Sequence, residues 1–334
     1  MNQADNNPRT TRLAPSPTGA LHLGNARTFM INWALARQQG WRIVLRIEDL
    51  DSPRVKAGAD RQAIDDLTWL GTDWDPPGPP GSPPRYQLAD LSPYRQALAS
   101  LCQRGLTYPC RCTRKEIEQA QSAPHEDDHE LRYPGTCRPR TGDSVNALGD
   151  AMLTPEQATA TRLIVPDQDI TFDDQLHGLQ VVNVQRQVGD FIVATKAGLP
   201  AYQLAVVVDD ARQHVTDVVR GDDLLPSTAR QILLYRLLDL GPPPRYWHLP
   251  LVLGSDAKRL AKRHGDTRLA WYREQGVPVE RVIGLLAHWC GIGGTLTALS
   301  PREFLQRFDL GRLPITPVTF TQQEHDWLLD KESA

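Results

Sequence analysis

The chain has 334 residues, 40% of them hydrophobic and 23% charged, enough for two or three packed units around a substantial core. Its formal net charge of −3 excludes nucleic-acid binding by bulk charge, so any RNA contact must come from local patches. No apolar run approaches the length of about 18 residues that a membrane helix needs, so no membrane is expected as a partner. The polar start Met1-Asn2-Gln3-Ala4-Asp5-Asn6-Asn7 lacks the apolar centre of a secretory signal, so a cytoplasmic location is expected.

The first elements read as strand, loop, helix and strand. Arg12-Leu13-Ala14 is a short strand running into the loop Pro15-Ser16-Pro17-Thr18-Gly19. From Ala26 to Gln39 the apolar residues Phe29, Met30, Trp33 and Ala36 recur at helical spacing, and Gly40 is placed to end the helix. Ile43-Val44-Leu45-Arg46-Ile47 is a nearly continuous, β-branched run, as a buried parallel strand requires. This β-α-β opening predicts an α/β fold whose ligand site lies at the strand ends. The stretch from Asp75 to Pro84 holds six prolines and reads as a surface loop, and a helix is expected from about Ser92 to Arg104. Residues 110 to 155 are polar and rich in turn formers, which suits an insertion. Strand-like runs return at Leu179 to Val184, Phe191 to Val193, Leu204 to Val208, Val215 to Val219 and Leu249 to Leu253. Helical spacing follows at Leu269 to Gln275, Val279 to Trp289 and Pro301 to Phe308. No internal repeat is present.

Three groups of residues carry chemistry. Ser16-Pro17-Thr18-Gly19-Ala20-Leu21-His22-Leu23-Gly24 joins a strand to a helix N-terminus, where free amides and the helix dipole favour an anion. Gly19 and Gly24 permit close approach of a phosphate, and His22 can set a donor beside it. The alternative is a tight turn with a surface histidine. Arg259-Leu260-Ala261-Lys262-Arg263, taken alone, reads as a solvated basic turn. Five cysteines, an odd number, argue against a disulfide framework. Cys102 and Cys290 read as core residues. Cys110, Cys112 and Cys137 fall in the turn-rich segment and suggest a structural zinc ion, one per chain, with His125 or His129 the usual fourth ligand.

The stretch Pro15-Ser16-Pro17-Thr18-Gly19-Ala20-Leu21-His22-Leu23-Gly24-Asn25-Ala26-Arg27-Thr28 resembles the first signature of the glutamyl-tRNA synthetases, a class I aminoacyl-tRNA synthetase family. His22-Leu23-Gly24-Asn25 departs from the His-Ile-Gly-His type at its second and fourth places. Leu45-Arg46-Ile47-Glu48-Asp49-Leu50-Asp51 matches the same family further along. The loop at 259–263 is similar to the mobile Lys-Met-Ser-Lys-Ser type, with Lys262 at the catalytic lysine, Arg259 for a lysine and Ala261 for the serine.

The resemblance implies a Rossmann-like parallel-sheet catalytic domain and a two-step reaction. Glutamate attacks the ATP α-phosphate, with His22 and Lys262 stabilising the charge and Mg²⁺ on the phosphates, to give glutamyl-adenylate, from which the glutamyl group passes to RNA. Pro15, Thr18, Gly19, His22, Gly24, Asn25, Arg259, Leu260, Lys262 and Arg263 would hold ATP. Arg12, Leu13, Ala14, Pro15, Ser16, Glu48, Tyr202 and Arg220 would hold L-glutamate. Glu48 is suited to the substrate ammonium, and Arg12, Tyr202 and Arg220 to the γ-carboxylate, which planar cations read well.

Within this family Cys110-Arg111-Cys112 and Tyr133-Pro134-Gly135-Thr136-Cys137-Arg138 resemble the truncated paralogues that attach glutamate to the queuosine base in the anticodon loop of tRNA(Asp). That resemblance implies Tyr133 as the fourth zinc ligand beside Cys110, Cys112 and Cys137. The 71 residues after Arg263 are too few for a full anticodon-reading region, which fits the same subgroup. The expected organisation is a first catalytic half at 1–109, a zinc-containing insertion at 110–188, a second catalytic half at 189–255, and the lysine loop with a short helical region at 256–334. A monomer is the default. The rivals are an ordinary glutamyl-tRNA synthetase charging a 3′ end and a catalytically silent paralogue that binds tRNA or nucleotide.

Overall fold

The structure, a computed structural model, describes residues 8–51, 54–120, 132–140, 159–260 and 266–330. The chain divides into two compact units, the first made of 1–87, 215–225 and 245–334 and the second of 88–214 and 226–244.

Parallel strands form the base of the first unit. Thr10–Leu13 pairs with Arg42–Ile47, which pairs in turn with Arg85–Tyr86, both in parallel. Ile43, Val44, Leu45 and Ile47 are all buried, which explains a run without polar alternation. A second parallel pair joins Asp217–Gly221 to Arg245–Leu249. Asp217–Gly221 packs beside Thr10–Leu13, and the Thr216 amide donates to the Thr10 carbonyl at 2.8 Å.

The crossover between the first two strands is the helix Leu23–Gln38, which starts one turn before the apolar periodicity begins. The earlier start comes from capping, because the His22 side chain accepts amide hydrogens of the first turn. Gly40, at φ 66°, turns the chain into the next strand. Buried Arg27 locks this helix in place: Nη1 donates to the Pro250 carbonyl at 2.6 Å and Nη2 to the Trp289 carbonyl at 3.3 Å.

The helices Leu269–Glu274, Val279–Trp289, Pro301–Arg307 and Gln322–Leu328 complete the unit. Val279–Trp289 packs on Leu23–Gln38 and buries Val282, Ile283, Leu285, Leu286 and Trp289. Ser300 and Thr321 start their helices through capping boxes with Glu303 and Glu324.

Antiparallel structure dominates the sheets of the second unit. Thr107–Cys110, Ala160–Leu163 and Ile192–Ala194 form a three-stranded sheet, and Asp169–Asp174 with Gly178–Asn183 form a hairpin. The helix Ser92–Gln103 is tied to the helix Tyr202–Arg212 by the Tyr94 hydroxyl, which donates to the Asp209 carboxylate at 2.9 Å. The expected strand Leu204–Val208 is therefore wrong: those residues lie inside the helix Tyr202–Arg212. Every residue from Leu204 to Asp210 is buried, so the helix shows no polar face, and a short apolar run does not separate helix from strand. Strands Ala160–Leu163 and Asp169–Asp174 had no clear signal in the sequence. Among the described residues no helix is long and apolar enough to cross a membrane.

Candidate active site

A cleft of about 970 Å³ opens in the first unit. It is lined by Pro15, Ser16, Thr18, Gly19 and His22 from the loop before the helix Leu23–Gln38, by Asn25 from the helix's first turn, and by Arg259, Leu260 and Asp266 from a second segment. The backbone brings these distant segments together. Leu23 donates its amide to the Thr267 carbonyl at 3.0 Å, and Leu269 donates to the Leu21 carbonyl at 2.9 Å. The second segment leaves the strand Val252–Leu253, turns at Ala257 (φ 57°) and returns, with the Leu260 amide donating to Val252 at 2.9 Å. Lys262, Arg263 and Ala261 lie outside the described residues. The residues that bracket them, Leu260 and Asp266, both line the cleft.

His22 is the N-cap of Leu23–Gln38. Its Nδ1 accepts the Gly24 amide at 3.1 Å and the Asn25 amide at 3.4 Å, while the Asn25 side chain accepts the His22 amide at 3.2 Å. Nδ1 is thus an acceptor, and the proton of the neutral ring sits on Nε2 as a donor. Burial, reinforced by the charge of Arg259, holds its pKa down at about 4. The first-turn amides expected to be free are taken, Leu23 by the Thr267 carbonyl and Gly24 and Asn25 by His22. What the helix start offers a phosphate oxygen is therefore the neutral Nε2–H donor and the positive end of the helix dipole. Arg259, whose Nη1 donates to the Asp223 carboxylate at 2.6 Å, adds a cation to the same cleft. Asp223 lies in the same stretch as Arg220, Val218-Val219-Arg220-Gly221-Asp222-Asp223-Leu224, but nothing in that stretch marks it as a partner of Arg259.

Of the residues assigned to glutamate, Arg12, Glu48 and Arg220 belong to this unit and stand at the C-terminal ends of parallel strands. Arg12 is buried, with Nη1 donating to the Val219 carbonyl at 3.3 Å. Arg220 donates Nε to Nε2 of His248 at 3.0 Å. Glu48 follows the strand Arg42–Ile47; its carboxylate accepts from Arg46 Nη2 at 3.1 Å and its amide donates to the Pro15 carbonyl at 3.1 Å. Leu13 and Pro15 are buried, Ala14 is half-buried and Ser16 is exposed. Tyr202 opens the helix Tyr202–Arg212 of the second unit and is 41% exposed.

The cysteine site lies wholly within the second unit. The sulfurs of Cys110, Cys112 and Cys137 lie within 4.8 Å of one another, and that of Cys112 is 3.5 Å from that of Cys137. Zinc–sulfur bonds of about 2.3 Å in a tetrahedron set sulfurs roughly 3.8 Å apart, so the spacing suits a metal ion. The Tyr133 oxygen is 3.5 Å from the Cys110 sulfur and 3.8 Å from the Cys112 sulfur, and it accepts the Cys137 amide at 2.8 Å. Three sulfurs and one oxygen converge, and the donor set fits a divalent cation. His125 and His129 lie outside the described residues. Burial pushes the Cys112 thiol up to about 11; at Cys137 burial is outweighed by hydrogen bonds from the Arg111 backbone and Tyr133, which bring it down to about 7. All five cysteines are free thiols, and Cys102 and Cys290 are buried, as expected. Arg162, unremarked in the sequence, donates Nε to the Cys110 sulfur at 3.2 Å, and its guanidinium lies 3.6 Å above the Tyr133 ring.

The profile of the class I tRNA synthetases (E and Q), catalytic domain, matches residues 9–327. The chain belongs to this family. As a class I tRNA synthetase it is a ligase, and its parallel-sheet fold is the one the first signature implied. It is 46% identical over 310 residues to the Glutamyl-Q tRNA(Asp) synthetase of Symbiobacterium thermophilum, covering 92% of this chain and 94% of that one. The protein of the same name from Rhodopirellula baltica is 44% identical over 326 residues, again covering 92% and 94%. A crystal structure of a glutamate tRNA ligase from Elizabethkingia meningosepticum in complex with its amino acid matches with a TM-score of 0.77 and 26% identity. That match covers 96% of this synthetase and 69% of the ligase.

Proposed function

We propose that the protein activates L-glutamate with ATP to glutamyl-adenylate and transfers the glutamate to the queuosine base in the anticodon loop of tRNA(Asp). The observation that carries this reading is full-length similarity, 46% and 44% identity across 94% of two proteins named Glutamyl-Q tRNA(Asp) synthetase. The Tyr133 oxygen among three cysteine sulfurs supports the same subgroup.

In the first step the glutamate carboxylate attacks the α-phosphate of ATP, presented as its magnesium complex, and pyrophosphate leaves. His22 donates from Nε2 to a phosphate oxygen, and Lys262 and Arg259 place positive charge where negative charge grows. Pro15, Thr18, Gly19, Gly24, Asn25, Leu260 and Arg263 complete the nucleotide contacts. Glu48 takes the substrate ammonium, and Arg12, Tyr202 and Arg220 the γ-carboxylate, with Leu13, Ala14, Pro15 and Ser16 shaping the pocket. In the second step a hydroxyl of the queuosine cyclopentene diol attacks the adenylate carbonyl and AMP leaves. Positioning and electrostatics supply most of the acceleration. Cys110, Cys112, Cys137 and Tyr133 would hold a zinc ion, which stabilises the fold of its segment when bound.

The test supplies purified protein with ATP, labelled glutamate and tRNA(Asp) carrying either queuosine or guanosine. Label on the queuosine form alone, surviving periodate oxidation of the 3′ end, is the expected result. Label lost when the 3′ end is blocked would make the protein an ordinary charging enzyme. Neither pyrophosphate exchange nor transfer would leave a silent paralogue.

A further inference from the structure

Arg220 and His248 are direct partners in the parallel register of Asp217–Gly221 with Arg245–Leu249. Both are buried, at 4% and 0% exposure, and the Arg220 Nε donates to His248 Nε2 at 3.0 Å. To accept there, the imidazole must be neutral, with its proton on Nδ1. Two residues earlier on the same face of the strand, the Tyr246 ring stacks against His248 at 6.1 Å and 11°, and the Arg220 guanidinium lies 5.3 Å from that ring. Arg220 Nη2 also reaches the Leu224 carbonyl at 3.4 Å.

We propose that His248 is a positioning residue for amino-acid selection: it fixes the plane of the Arg220 guanidinium so that the terminal nitrogens meet the substrate side-chain carboxylate. This rests on the reading of Arg220 as a γ-carboxylate contact. The choice of partner matters. A carboxylate at His248 would orient Arg220 equally well but would neutralise it and compete with the substrate. The imidazole lone pair orients the guanidinium through one hydrogen bond without bringing a negative charge of its own, which suits a bidentate pair with the substrate. Glutamine, which offers no charge, gains less from that arrangement, so the same contact favours glutamate.

The experiment compares His248→Leu, His248→Gln and Arg220→Ala by pyrophosphate exchange, measuring KM for glutamate, KM for ATP and the kcat/KM preference for glutamate over glutamine. His248→Leu is expected to raise the glutamate KM about tenfold and narrow the preference, with the ATP KM unchanged. His248→Gln keeps an acceptor oxygen and should recover most of the loss, which a purely structural role would not produce. His248→Phe replaces the leucine variant if thermal melting shows that protein unfolded. The proposal is overturned if the acceptor-less variants match the wild type, if the ATP KM rises in proportion, or if His248→Gln is folded yet no better than His248→Leu. An Arg220→Ala protein with an unaltered glutamate KM would overturn the site assignment itself, and this proposal with it.

Discussion

Nδ1 of His22 accepts the backbone amide of Gly24 at 3.1 Å, and this bond decides which ring nitrogen carries the proton. Burial and the neighbouring Arg259 hold the ring neutral down to about pH 4. The folded value lies below the ordinary 6.5, so the contribution to stability is full above 6.5 and is lost as pH falls toward 4. A group neutral across the working range adds no inflection to the rate. Pyrophosphate exchange should therefore show no step between about pH 5 and 8 that His22→Gln abolishes. The His22 ring resonance, followed by NMR, should titrate near 4. A midpoint near 6.5 would remove the neutral-donor assignment.

Gly24 tests the same geometry from the other side. A Cβ built there lies 3.0 Å from the His22 Cε1 and 3.1 Å from Nδ1, in the space the ring needs for capping. In an open helix position alanine would stabilise by about 1 kcal/mol. Here that gain is offset by displacement of the histidine. Gly24→Ala should keep its melting temperature within a few degrees, yet lower pyrophosphate exchange by about tenfold or more. Wild-type exchange rates would show that the His22 ring need not sit where it does.

At the cysteine site the expected metal content is about one zinc per chain, measured by plasma emission on protein purified without chelator. Cys137→Ser should lose it and lower the melting temperature. Arg162→Leu retains all four donors but removes the N–H toward the Cys110 sulfur and the cation over Tyr133. Partners of this kind typically change metal affinity 10- to 100-fold, so chelator competition should show a shift of about that size. Metal-free wild-type protein would end the zinc reading, whereas unchanged affinity in Arg162→Leu would concern the arginine alone.

The fold was legible where one physical signal dominated. Ile43 to Ile47 is buried on a parallel strand and reads as an apolar run broken only by Arg46, and Gly40 ends its helix in the left-handed conformation that glycine tolerates. Leu204 to Val208 has the same look, but buried packing rather than β-branching decides its helix. The candidate site divides in the same way. His22, Glu48 and Arg259 stand in contiguous motifs, so they could be found by reading along the chain. His248, Asp223 and Arg162 act on residues 28, 36 and 52 positions away, through a strand register, a loop return and a sheet neighbour. Nothing local marks His248 or Arg162, and the stretch around Asp223 points to Arg220 rather than to Arg259.

Asp66 is the clearest case of a buried charge that the site does not use. It lies on the helix Ala59–Trp69 at 0% exposure; Oδ1 accepts from Gln62 at 2.9 Å and faces Arg273 at 3.7 Å, while Oδ2 finds no partner among the described residues. Burial raises its pKa from 3.8 to about 6, against the partial opposition of Gln62 and Arg273. A carboxyl whose folded value is raised stabilises the fold fully below 3.8, and that stability disappears as pH rises through about 6. Asparagine cannot ionise, keeps an acceptor for Gln62, and sets an amide where Oδ2 now lacks a partner. The loss of attraction to Arg273 is small at that distance beside the cost of a buried anion. Asp66→Asn should therefore melt several degrees above the wild type at pH 8 and close to it at pH 4. Equal differences at both values would mean that Asp66 ionises in the folded protein as readily as in the unfolded chain.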